Sequence, residues 1–268
     1  MLKDITLGQY FPGDTPVHRL DPRTKLLLTV IYIAALFTAN TVGGYILAFA
    51  ALAGTAALGH IPPKAMIKGL KPLIFIMVFT GILNLFFTPG DDYLFRWGVV
   101  RITRTGLQNA VAMVARVMLL VSGTFLLTYT TSPLAITDGL ELLLTPLKKL
   151  KVPVYELSLM MSIALRFIPT LIEETDRIMS AQKARGADLE TGGLIQRAKA
   201  LLPLLIPLFV SAFRRADELA TAMECRCYNG GEGRTRMKTL RMGRGDLIAF
   251  LLGGVLFAGI ILLRRLGI

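Results

Sequence analysis

Apolar positions in this chain fall in long blocks rather than in the alternating or striped patterns of a water-soluble domain. Leu26 to Pro63 is 38 residues without Asp, Glu, Lys or Arg, and Pro72 to Gly90 is another 19. A helix needs roughly 20 mostly apolar residues, at about 1.5 Å each, to cross a bilayer. The first block therefore predicts two spans folded as a hairpin, with the turn at Asn40-Thr41-Val42-Gly43-Gly44, and the second block predicts one. A fourth span runs from about Gly106 to Tyr129, interrupted only by Arg116, and a fifth from Leu247 to Leu263 is closed by Arg264 and Arg265. The N-terminal residues carry charges of both signs and lack a cleavage site beside a short apolar core, so a signal peptide is not expected and the first span stays. The pattern predicts an all-α polytopic membrane protein with five transmembrane helices.

Between spans four and five lie about 115 residues of a different texture. Pro133 opens a helix over Leu134 to Leu150, and Pro153 opens one over Val154 to Phe167, whose nearly continuous apolar surface stops before Pro169. That stretch is short for a span and reads as buried or interfacial, which leaves a sixth span open. From Pro169 to Gly186 the apolar residues Leu171, Ile172, Ile178 and Met179 share one helical face. After a polar turn at Ala187 to Gly193, a further amphipathic helix is expected from about Leu194 to Glu224, kinked or broken by Pro203 and Pro207. It stops at Asn229-Gly230-Gly231. The expected organisation is a four-span membrane region over 1–129, coupling helices over 130–246 and a last span over 247–268.

Charge refines this picture through its placement. Of 268 residues 53% are hydrophobic and mean hydropathy is +0.58, yet the net charge is +12. With the N-terminus in the cytosol, cytosolic segments hold 24 Lys and Arg while the opposite side holds five, so the positive-inside bias predicts a cytosolic N-terminus and an outside C-terminus. The protein is then multi-pass in the cell's inner or plasma membrane. The basic run Arg226, Arg234, Arg236, Lys238, Arg241 and Arg244 precedes span five, where attraction to anionic membrane lipid, about 1 kcal/mol per residue, accounts for it without nucleic acid.

Candidate chemistry is sparse. No G-x-x-x-x-G-K-[ST] loop and no H-E-x-x-H occur, so neither ATP hydrolysis nor metal-dependent hydrolysis is expected of this chain. Cys225 and Cys227, with His18 and His60 far off in sequence, make no metal set and read as free thiols; no metal and no cofactor is expected. Two helices, however, end alike, in Ala184-Arg185-Gly186 and Cys225-Arg226-Cys227. An arginine near a helix C-terminus complements the helix dipole, and Gly186 fits a C-terminal cap. Two such ends in one insertion also suit the docking of guanidinium forks into acidic grooves of another protein. Asp21-Pro22-Arg23-Thr24-Lys25 reads as an N-cap and N1 proline for span one, with Arg23 and Lys25 anchored at cytosolic headgroups. Arg116, inside a span, is an intramembrane functional candidate by default.

At these residues the chain resembles the transmembrane (T) component of energy-coupling factor transporters. The resemblance runs over nearly the whole sequence, through Gly8-Gln9-Tyr10, His18 to Lys25, Ala181 to Asp188, Arg214 to Ala220, Ala222-Met223-Glu224 and Arg234-Thr235. It implies a non-enzymatic scaffold that couples two cytosolic ATP-binding cassette ATPases to a membrane-embedded substrate-binding S component, for uptake of vitamins or transition-metal ions. It also implies that Ala184, Arg185 and Gly186, with Cys225, Arg226 and Cys227, dock on the ATPases. The second motif departs from the family's Ala-Arg-Gly, which leaves the ending of that helix open. The competing reading is an autonomous carrier or channel, or a membrane-embedded enzyme, with Arg116 and the Pro203/Pro207 region lining a substrate site.

Overall fold

A computed structural model describes residues 10–88, 93–97, 100–187, 193–230 and 239–267. Gly8-Gln9, Asp188 and the Arg234 to Lys238 part of the basic run lie outside the described residues. The chain forms two compact units: a bundle unit of residues 8–139 and 239–268, and an insertion unit of residues 140–238.

In the bundle unit, Asp21 is the N-cap of α1 (Pro22–Thr38), its side chain accepting the Arg23 N–H, and Pro22 sits in the first turn, as the Asp-Pro pair predicts. Thr41 caps α2 (Val42–Leu58), its hydroxyl accepting the Gly44 N–H, so the turn is confined to Ala39 to Thr41 and the two glycines belong to the helix. Each of these helices has 17 residues. The next span is assembled from α3 (Pro63–Leu70), a single 3-10 turn and α4 (Ile74–Phe87). A two-stranded antiparallel hairpin, β1 (Tyr93–Trp97) and β2 (Val100–Thr103), is the one departure from helix among the described residues. Thr103 then caps α5 (Arg104–Thr130), which ends shortly before α6 (Pro133–Leu144). The last helix is α9 (Arg244–Leu266).

Helices α1, α2, α5 and α9 share a core of Ala35, Leu36, Ala39, Ala48, Leu52, Leu119 and Ile260. Small residues let the backbones approach: a Cβ at Gly123 would lie 2.6 Å from the Tyr32 ring, and one at Gly253 2.5 Å from Leu28. Outside this core the helices present apolar side chains outward, Phe75, Phe79 and Phe87 on α4 and Leu251, Leu252 and Val255 on α9 among them, as lipid-facing surfaces do.

The insertion unit holds two long helices, α7 (Val154–Ala184) and α8 (Leu194–Cys225). The first corrects the sequence expectation, because helix α7 runs unbroken through Pro169 instead of ending before it; in α8, of the expected kink or break at Pro203 and Pro207, the break does not occur. Among the described residues four helices are long and apolar enough to cross a membrane: Pro63–Phe87, Arg104–Thr130, Val154–Ala184 and Arg244–Leu266. Helix α7, left open as a sixth span, is therefore among the candidates by length and composition, whereas α2 is a shorter apolar helix.

Candidate functional site

The two arginine motifs have one local design. At the end of α7, Arg185 is the C-cap, the Gly186 N–H donates to the Lys183 carbonyl and the Ala187 N–H to the Gln182 carbonyl. Gly186 has φ +81°, so this is a Schellman ending with glycine at the left-handed position. At the end of α8, the Cys227 N–H donates to the Glu224 carbonyl and the Tyr228 N–H to the Met223 carbonyl, with Cys227 at φ +56°. The hydrogen bonds are the same, position for position, so replacing the glycine by Cys227 does not change how the helix closes. Arg185 and Arg226 occupy equivalent cap positions and are exposed, as are Ala184, Gly186, Cys225 and Cys227. Among the described residues neither guanidinium has an ion-pair partner.

Helices α7 and α8 pack antiparallel, because Gln182 meets Pro203 and Glu174 meets Arg215. The spacing of the prolines explains the first contact. Pro207 has no N–H to offer the carbonyl four residues back, which is that of Pro203. Gln182 Nε2 on α7 donates to this carbonyl at 3.4 Å. The second contact is an Arg215–Glu174 ion pair at 3.4 Å, half exposed and so worth little by itself. The last turn of α7 therefore lies beside Pro203, and Cys225 at the far end of α8 is about 33 Å further along at 1.5 Å per residue. The two arginines stand at opposite ends of one helix pair.

A second set of charged residues lies in the bundle unit. Sequence reasoning placed Arg23 and Lys25 at lipid headgroups; the structure corrects this, because both are engaged within the protein. Lys25 is buried, and its ammonium donates to the carbonyls of Thr130, the last residue of α5, at 2.8 Å and of His18 at 3.1 Å. Arg23 Nε and Nη2 each lie 3.1 Å from a carboxylate oxygen of Asp21, and Nη2 also donates to the Leu240 carbonyl at 3.1 Å. Asp246, which the sequence analysis did not single out, is buried with Asp21. Its Oδ1 accepts the Asp21 N–H at 2.9 Å and its Oδ2 accepts the Gly243 N–H at 2.7 Å. Helices α1 and α9 thus begin side by side with a carboxylate at each positive end. A string of Gly243-Arg244-Gly245-Asp246 signals a helix start, but its partner Asp21 is 225 positions away and only folding brings the two together.

Just upstream, Thr15 Oγ1 and His18 Nδ1 are 2.7 Å apart, and His18 Nε2 is 3.0 Å from the Phe11 carbonyl. A carbonyl only accepts, so Nε2 carries a proton, and in the neutral ring the Thr15 hydroxyl then donates to Nδ1. The Phe11 N–H donates to the Tyr129 carbonyl at 3.0 Å, which straps this segment over the end of α5.

Arg116 is directed at its own chain. Nη2 donates to the Ala39 carbonyl at 2.9 Å, the Tyr45 hydroxyl at 2.8 Å and the Asn40 side-chain oxygen at 3.3 Å, and the guanidinium lies 5.8 Å from the centre of the Tyr45 ring. The residue closes the end of α1 and the turn into α2. Among the described residues no group of three or more His, Cys, Asp or Glu side chains is placed to hold a metal ion.

Blocks of helix with outward-facing apolar side chains, interrupted by an antiparallel helix pair with matched arginine endings, define a multi-pass membrane protein. Comparison with known proteins agrees. The family model described as cobalt transport protein, CbiQ, matches residues 13–237. Proteins named energy-coupling factor transporter transmembrane protein EcfT are similar over nearly their full length. The one from Ruminiclostridium cellulolyticum is 54% identical over 248 residues, 92% of either chain. That from Thermosediminibacter oceani is 52% identical over 263 residues, 98% of this chain and 99% of its own. That from Bacillus subtilis is 50% identical over 240 residues, 90% and 91%. The chain belongs to this family, the T components of energy-coupling factor transporters, and is a membrane-spanning coupling subunit rather than an enzyme.

Proposed function

We propose that this T component docks on two cytosolic ATP-binding cassette ATPases through Arg185 and Arg226, and hands their ATP-driven movement to a membrane-embedded S component that carries the substrate. The observation that carries the reading is the pairing of two identical Schellman endings, each presenting an exposed arginine, about 33 Å apart at opposite ends of one antiparallel helix pair. That separation suits two subunits, one arginine to each, better than a single groove. A guanidinium at a cap position can make bidentate hydrogen bonds to a carboxylate, which fixes orientation as well as affinity. The helix pair between the two contacts then acts as a strut whose ends move when the ATPases close.

In this reading the N-terminus and the insertion face the cytosol, the C-terminus lies outside, and the imported vitamin or metal ion is recognised by the S component. Arg116, whose Nη2 is engaged by Ala39, Asn40 and Tyr45, serves the α1–α2 turn of the membrane bundle. Co-purification of the ATPases with the full-length chain tests the docking. Arg185→Glu and Arg226→Glu are each expected to weaken retention by about tenfold or more, the cost of turning a charge-assisted contact into a repulsive one. The double variant should retain none. Equal retention by wild type and both variants would refute docking through these residues.

A further inference from the structure

Within the bundle unit, three contacts between α1 and α5 repeat at equal steps along both helices. Lys25 reaches the Thr130 carbonyl at 2.8 Å, the Tyr32 ring covers Gly123, and Arg116 reaches the Ala39 carbonyl at 2.9 Å. The two helices therefore run antiparallel in one register, and the α1–α2 turn stands about 21 Å from the level of Lys25 at 1.5 Å per residue. Helix α9 follows α1 in parallel with the same regularity: Asp246 meets Asp21, Gly253 meets Leu28, and Ile260 shares the core with Ala35. One turn further on, Arg264 comes level with Ala39. The packing of Gly259 on Leu47 of α2 agrees, since the antiparallel continuation brings Arg264 level with Val42, on the other side of the same turn.

This level is the end of α1 and α9 and the start of α2, but only the middle of α5. Arg116 lies about halfway along Arg104–Thr130, and α5 continues for about 18 Å beyond it. Helix α4 stands alongside, with Gly81 against Val114 and the Leu85 carbonyl against Gly106. Helices α1 and α2, of 17 residues each, reach only about 25 Å, against the roughly 30 Å of a hydrocarbon core. The bundle thus has a tall side and a short side. A bilayer of even thickness centred on α5 would put the exposed Asn40 and the Arg116 guanidinium near its mid-plane, where a charge is costly. Among the described residues no carboxylate pairs with Arg116, Arg264 or Arg265, and the last two are exposed. Arg116 Nη2 is engaged by Ala39, Asn40 and Tyr45, whereas its Nε and Nη1 meet no acceptor among those residues.

We propose that the level marked by Arg116 and Arg264 binds the phosphate headgroups of membrane lipid, drawn down over the short side of the bundle. Phosphate supplies the anion that these guanidinium groups lack, and its oxygens match their fork of donors. A bilayer thins to meet helices shorter than its core at modest cost per ångström, and phosphates at this level also bring water to the exposed Asn40. Tyr45, whose hydroxyl accepts from Arg116 at 2.8 Å, then sits at headgroup depth, where tyrosine is favoured. The inference rests on α1 and α5 crossing the membrane and is independent of how the insertion meets the ATPases. In the proposed orientation the lipid belongs to the outer leaflet; the reverse orientation would assign it to the other leaflet and leave the site intact.

The test uses the full-length chain carrying Cys225→Ser, Cys227→Ser and Val42→Cys, with a fluorophore on the new thiol. It is placed in vesicles of digalactosyl diglyceride, a lipid without phosphate, holding increasing shares of phosphatidylglycerol spin-labelled either on the headgroup or at acyl carbon 12. The headgroup label is expected to quench the fluorophore at a lower share of lipid than the carbon 12 label. Arg264→Gln should raise the share needed for half-quenching about fivefold, the effect of one basic residue near an anionic surface, and Arg264→Lys should largely restore it. Arg116→Gln is expected to do at least as much. Arg264 makes no hydrogen bond among the described residues, so its variant decides the matter if Arg116→Gln does not fold. Stronger quenching from carbon 12 would place the turn in hydrocarbon and overturn the proposal. So would equal half-quenching shares in the parent chain and the Arg264→Gln variant, which would mean that short helices alone set the level. Loss of headgroup quenching on adding excess inorganic phosphate would assign the site to a free anion and overturn the lipid.

Discussion

Basic side chains at the edges of the bundle act here as donors to helix-end carbonyls. Lys25 serves Thr130 at the end of α5, and Arg116 serves Ala39 at the end of α1. The last carbonyls of a helix have no intrahelical donor, and away from water an unmet carbonyl is costly. A buried cation beside the negative end of a helix answers both problems, since each charge finds partial charges of opposite sign. Arg116→Leu should therefore destabilise the protein by about 1.5–3 kcal/mol, the range for a hydrogen bond to a charged group, seen as a lowered thermal midpoint in detergent. An unchanged midpoint would show that the α1–α2 turn holds without it. The sequence singled out Arg116 because a charge in an apolar run is conspicuous. It did not indicate what the charge was for, because Ala39 is 77 positions away.

At the scale of elements, the prolines and the paired arginines carry the lesson. Pro169, Pro203 and Pro207 each lie inside a helix that local propensity would end. A proline in a helix removes one hydrogen bond and crowds the preceding turn. In α8 part of that cost is offset by Gln182 of the neighbouring helix, which meets the carbonyl that Pro207 leaves open. The same fold of the chain makes the Cys-Arg-Cys motif equivalent to Ala-Arg-Gly in backbone terms, at the expense of a non-glycine residue at positive φ. Cys227→Gly is expected to raise the stability of the insertion by about 1 kcal/mol and Gly186→Ala to lower it by a similar amount, read from thermal unfolding. If Cys227→Gly were destabilising, the thiol side chain would have a packing role that its exposure does not suggest. Boundaries of this kind were legible where chemistry is local: the Asp21 N-cap, the N1 proline and the glycine cap at Gly186 were read from the sequence and stand in the structure.

For the whole molecule, the charge asymmetry becomes a statement about topology. In the proposed orientation the β1–β2 hairpin and the C-terminal Arg264 and Arg265 belong to the side with few basic residues, while the segment after α8 belongs to the basic side. Reporter fusions or cysteine labelling at Tyr93 to Thr103 should find that hairpin outside, and labelling near Cys227 should find it in the cytosol. The opposite result would reverse the orientation and with it the docking of the insertion on cytosolic ATPases. The absence of a phosphate-binding loop fits the proposed division of labour, in which partner subunits hydrolyse ATP.

The sequence by itself determined the class: long uncharged blocks can only be stable in lipid as helices, so an all-α multi-pass membrane protein follows from composition along the chain. It also determined the ending at Gly186, because a glycine cap is a local motif read within six residues, whereas the ending at Cys227 was left for the structure to decide. Only the tertiary structure decided what the isolated charges do. Whether Arg23 and Lys25 face lipid headgroups or protein, whether Pro169 ends a helix, and which carboxylate begins α9 beside α1 all depend on groups brought together from far along the chain. Burial makes each such group accept whatever partner the packing provides, and no local pattern encodes that partner.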